Sequence, residues 1–123
     1  MTVRLRSIPR PQRLLEIYCS NNHPVAVLRK RPGGKPATLD AIRRGGKDVR
    51  AKWAWTDQGL AGVLGNPNTD PHWQIMGAGV IDSVNYACKV CDPARTVVIT
   101  ASMIEAGLAR YKTRVVRIVS EMQ

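Results

Sequence analysis

The chain has no phenylalanine, and aromatic residues make up only 5% of its 123 positions. The core must therefore be built mainly from aliphatic side chains. Acidic residues are also scarce: 9 Asp and Glu face 19 Lys and Arg, a formal net charge of +10. No apolar run approaches the roughly 20 residues of a membrane-spanning helix, so no membrane partner is expected. The start of the sequence carries charge without a following apolar stretch, which argues against a secretory signal. Three cysteines are too few for a disulfide framework, and a reducing, cytoplasmic setting is expected. With 44% apolar residues the chain can still build a core, and its length fits one domain.

What is present divides into segments. Residues 1–12 hold Arg4, Arg6 and Arg10 among Pro9 and Pro11, and read as a basic arm. Residues 13–19 and 25–28 read as two strands of a hairpin, with Ser20, Asn21, Asn22 and Pro24 supplying turn chemistry. Residues 32–79 read as an insertion. Within it a short helix is expected over 38–44, with Thr38 as its N-cap, then a strand over 50–56. A long loop over 57–79, rich in Gly, Asn, Asp and Pro, completes it. Residues 80–88 and 95–100 read as a second hairpin.

The last segment, 101–123, has apolar residues at Ile104, Leu108, Tyr111, Val115, Ile118 and Met122. That spacing predicts a helix, with Ser102 and Glu105 as a capping box. Gly107 and the β-branched run at 115–119 argue for a strand instead, and pattern length favours the helix. The stripe is read as packing on the domain or as a homodimer seam.

The chemistry lies in two short spacings. Cys19-x-x-x-His23 and Cys88-x-x-Cys91 use all three cysteines and one of the two histidines. Thiolate and imidazole are the preferred ligands of zinc, and four of them close a tetrahedron. Both pairs fall at expected hairpin tips, so folding can bring them together around one structural zinc ion. Asn21, Asn22, Lys89 and nearby backbone amides are candidate hydrogen-bond donors to the sulfurs. The competing readings are three unligated buried thiols, an iron–sulfur cluster, or a redox dithiol. Histidine ligation is uncommon in such clusters. A redox dithiol should open a helix, whereas Cys91 leads into the strand-forming Thr96-Val97-Val98-Ile99.

The segments Tyr18-Cys19-Ser20-Asn21-Asn22-His23 and Ala87-Cys88-Lys89-Val90-Cys91-Asp92 resemble the two knuckles of a zinc ribbon. The first knuckle differs in being C-x-x-x-H. The resemblance implies a structural metal and a nucleic-acid or protein partner. It makes the expected fold α+β: small zinc-ribbon-like hairpins with a long loop insertion and a C-terminal helix.

Catalysis is not expected. The zinc deaminase signature needs a glutamate two residues after its histidine, and here Val25 stands there. Residues 31–36 lack the Gly spacing and final Ser or Thr of a phosphate loop. His72 reads as an exposed loop residue. The basic surface instead points to a nucleic acid or an acidic protein. The candidate phosphate-binding residues are Arg4, Arg6, Arg10, Arg29, Lys30, Arg31, Arg43, Arg44, Lys47, Arg50 and Lys52. A fourth cluster is Arg110, Lys112, Arg114 and Arg117. Trp53 and Trp55 are read as core residues first, and as stacking platforms for bases second. The leading expectation is a non-enzymatic, regulatory zinc protein that binds nucleic acid through its basic surface. The alternative is a protein-interaction or assembly module, including a structural part of a larger particle.

Overall fold

A computed structural model describes residues 12–42, 51–88, 90, 91, 93 and 95–120. The basic arm over 1–11, residues 43–50 and residues 121–123 lie outside them, and with them Arg4, Arg6, Arg10, Arg43, Arg44, Lys47, Arg50 and Met122.

The described chain is mostly strand: β1 (Arg13–Tyr18), β2 (Pro24–Arg29), β3 (Thr38–Ala41), β4 (Trp53–Thr56), β5 (Gly59–Leu64), β6 (Gln74–Ile81), β7 (Ser83–Cys88) and β8 (Arg95–Thr100), then helix α1 (Ala101–Arg110) and β9 (Val116–Val119). Strands β1 to β6 run as an antiparallel meander, and β9 joins it parallel to β1. The resulting seven-stranded sheet has the order β6-β5-β4-β3-β2-β1-β9. Strands β7 and β8 form a separate two-stranded ribbon.

One apolar cluster joins these parts. Leu15, Ile17, Leu28, Leu39 and Leu60 from the large sheet meet Val84, Val97 and Ile99 from the ribbon and Ile104 from α1. Each fully buried aliphatic side chain is worth about 1.5–3 kcal/mol relative to exposure. Hydrogen bonds stitch the same layers: the Tyr86 hydroxyl donates to the Leu39 carbonyl (3.0 Å), and the Ser120 hydroxyl to the Val98 carbonyl (3.1 Å). Burial raises the Tyr86 hydroxyl pKa, and the Asp40 charge adds to the rise. A smaller cluster of Ala54, Val63 and Trp73 is separate from the first, and the Lys35 ammonium lies 4.6 Å from the centre of a Trp73 ring.

The first hairpin is as expected, and four other expectations change. The helix expected over 38–44 is strand β3 where it is described. Leu39 pairs with Leu28, and the buried Thr38 hydroxyl accepts from Arg31 Nε at 2.6 Å, so Thr38 is not an N-cap. The long loop over 57–79 contains β5 and most of β6. Gly62 serves close packing, since a Cβ there would collide with the Met76 methyl. The second hairpin does not start at Val80, because the chain leaves the large sheet after Ile81 and enters the ribbon at Ser83.

The C-terminal helix stops at Arg110. Its N-cap is Thr100, whose hydroxyl accepts from the Met103 amide at 3.1 Å, rather than Ser102. Gly107 allows α1 to lie directly on the sheet, since a Cβ there would be 2.7 Å from Ile118 and 2.9 Å from Leu15. The β-branched Val116, Ile118 and Val119 then pair with β1. A continuous helical dimer seam over 104–122 is therefore absent from the described residues, and Val115 is exposed.

Candidate metal centre

The strand pairing explains how residues far apart in sequence meet. Cys19 follows β1 and His23 precedes β2, so both sit in the turn of the first hairpin. The Cys19 amide donates to the His23 carbonyl and the Asn22 amide to the Cys19 carbonyl, both at 2.9 Å. This tight turn places Asn22 at φ +66°, a left-handed conformation that asparagine tolerates better than most residues. Cys88 ends β7, and Cys91 lies in the turn toward β8. The ribbon packs on the large sheet so that its turn faces the turn of the first hairpin.

The four donor atoms lie within 4.8 Å of one another. His23 Nδ1 is 3.5 Å from Cys19 Sγ, 3.7 Å from Cys88 Sγ and 3.4 Å from Cys91 Sγ. Cys19 Sγ and Cys91 Sγ are 3.9 Å apart. A regular tetrahedron with Zn–S of about 2.3 Å and Zn–N of about 2.05 Å has S–N edges of about 3.5 Å and S–S edges of about 3.8 Å. The four edges given lie close to these values and the other two sulfur–sulfur edges are within 4.8 Å, so the group could hold a metal ion. Cys19, Cys88 and Cys91 are all buried, and His23 is half-buried.

The surroundings suit thiolates. Asn21 Nδ2 donates to Cys91 Sγ at 3.5 Å, and the His23 amide donates to Cys19 Sγ at 3.4 Å. Burial alone raises the Cys88 pKa. The backbone amides of Cys91 and Val90, with the Cys91 and His23 side chains, outweigh it and bring the thiol down to about 7. At Cys91 the Asn21 bond lowers the pKa, but burial and the adjacent sulfurs of Cys88 and Cys19 outweigh it and raise the thiol. Crowded sulfurs cannot all carry charge without a cation between them. A divalent ion at the centre removes that conflict. Of the expected donors, Asn21 and the backbone amides are in place, Asn22 shapes the turn, and Lys89 lies outside the described residues.

The candidate phosphate contacts are placed differently. Lys30 and Lys52 are exposed. Arg31 is turned inward and only 5% exposed. Its Nη2 meets Asp40 Oδ2 at 2.8 Å, so its charge is spent inside the protein. Arg29 is partly covered, with Nε 3.6 Å from the same carboxylate oxygen. Burial raises the Asp40 pKa, while the charges of Arg31 and Arg29 and the Thr38 and Arg31 hydrogen bonds pull it down. The inward use of Arg31 had one signal in the sequence, the lone acid Asp40 nine positions on. Trp53 and Trp55 are half-buried against the main core, and His72 is exposed. Among the described residues no helix is long and apolar enough to cross a membrane. Compared with protein-family models, with curated proteins and with solved structures, the chain matches none; what it carries is a Cys3His group that could hold a metal ion.

Proposed function

We propose that the protein is a non-enzymatic binding domain, stapled by one structural zinc ion, that engages nucleic acid through phosphates. The observation that carries the zinc reading is the closed four-donor cage. Around a zinc ion, three sulfurs and one ring nitrogen would complete a tetrahedron and leave no position for a catalytic water. The ion would join the first hairpin of the large sheet to the turn of the ribbon, in the manner of two zinc-ribbon knuckles. The +10 charge supports an anionic partner. Lys30 and Lys52 are exposed for phosphate contact, and the arm and the Arg43, Arg44, Lys47 and Arg50 cluster would add to them.

A salt titration of binding to unrelated duplex and single-stranded oligonucleotides tests the partner. The expected result is affinity that falls steeply with salt and varies little with sequence, with a slope that drops by roughly one unit for each phosphate contact removed. Absence of binding at low salt would reject nucleic acid and leave the assembly reading.

A further inference from the structure

The large sheet ends at β9, whose one strand neighbour among the described residues is β1. Backbone groups along a strand alternate between its two edges. The Ser120 amide donates to the Tyr18 carbonyl at 2.8 Å, which turns the even-numbered residues of this segment toward β1. The N–H and C=O groups of Arg117 and Val119 therefore face outward. Their side chains are exposed, with Val119 at 59%, while Val116 on the opposite face is buried. Arg117 stacks over the Tyr18 ring at 5.3 Å.

Among the described residues the charge along this edge has one sign. Arg110, Lys112, Arg114 and Arg117 are all exposed, and residues 110–120 contain no acid. The nearest carboxylate on the adjoining strand, Glu16, is held by Arg13 at 3.4 Å and by the Tyr18 hydroxyl at 3.3 Å. Cations on an edge strand discourage pairing with another copy, because like charges would face each other. The same cations favour a strand of opposite charge. We propose that the outer edge of β9 is a docking site for an extended acidic segment of a partner protein. The segment would add as an eighth strand, with backbone bonds to Arg117 and Val119. A carboxylate would meet Arg117, and two positions along the same face of the segment an apolar residue would cover Val119. This edge uses none of the four metal ligands and neither Lys30 nor Lys52, so it can be tested apart from the function proposed above.

The test is fluorescence anisotropy of the full chain with a short capped peptide repeating Glu-Glu-Val-Val, which sets glutamate and valine alternately along each face. Controls are the lysine–valine counterpart and a single-stranded oligonucleotide. The acidic peptide should bind and the basic one should not. Val119→Pro removes an outward N–H without touching a bond to β1, and should weaken peptide binding by about tenfold or more. An oligonucleotide held by charge alone should be unaffected by that change. Should Val119→Pro fail to fold, N-methylation of alternate peptide residues tests the same bonds from the other side, and binding should be lost in one of the two methylation registers. No peptide binding at low salt would overturn the proposal. So would binding indifferent both to proline and to N-methylation, or to proline alone in a folded variant; that result would mark the edge as a charge-only surface for anions such as nucleic acid.

Discussion

Two buried polar centres lie at opposite ends of β2. At its start, Cys19, His23, Cys88 and Cys91 converge with their donor atoms within 4.8 Å. At its end, Arg31 and Arg29 meet Asp40 on β3. The first links two sheets with four donors that could hold a metal ion. The second links neighbouring strands and brings its own opposite charges. With the proposed ion bound, the Cys3His cage would gain most of its strength from a ligand taken from solution, and its stability would depend on the metal. The arginine–aspartate group brings its own charges and is incompletely satisfied, since Arg29 Nε and Asp40 Oδ1 have no hydrogen-bond partner among the described residues. Buried ion pairs of this kind add little net stability over apolar packing, yet breaking one strands a charge.

Substitutions separate the two centres. The largest effect is expected from Cys88→Ser or from removal of metal by a chelator, because structural zinc binding is coupled to folding. Thermal unfolding should shift down by roughly 10 °C or more. Adding zinc back should restore the wild-type protein and not the variant. Asp40→Ala should come next, at about 3–5 kcal/mol in urea unfolding, because it leaves Arg31 buried without its partner. That loss should be indifferent to chelator. If instead it vanished in metal-free protein, the two centres would be one coupled unit.

Smaller effects test how α1 is seated on β1 and β9. Gly107→Ala improves helix propensity by about 1 kcal/mol. It also places a Cβ 2.7 Å from Ile118 and 2.9 Å from Leu15. Crowding should win, with a net destabilisation of about 1–2 kcal/mol; a stabilised variant would show that α1 can move away from β9. Thr100→Ala should cost about 1 kcal/mol through loss of the cap to Met103, whereas Ser102→Ala should cost less.

The same contrast explains what could be read in advance. The metal centre was legible because cysteine is rare here and its two spacings sit at turns. The Asn-rich segment 20–23 marks one turn, and the aliphatic runs 25–28 and 95–100 mark the strands beside both. The arginine–aspartate centre was hidden because arginine is abundant in this chain and looks the same inside as out. β5 was hidden for another reason. Its glycines at 59 and 62 are signals of a loop, yet Gly62 makes room for Met76 within a buried strand. At the C-terminus a helical stripe and a β-prone run overlapped. Tertiary packing divided them at Arg110, with Gly107 admitting Leu15 and Ile118 close to the helix.

The central claim, that one ion joins the two hairpins, is tested most directly by metal analysis of the purified full chain combined with X-ray absorption at the zinc edge. The account predicts about one zinc per chain, with three sulfur ligands at about 2.3 Å and one nitrogen at about 2.0–2.1 Å. A metal-free protein that unfolds at the same temperature with and without added zinc would contradict it.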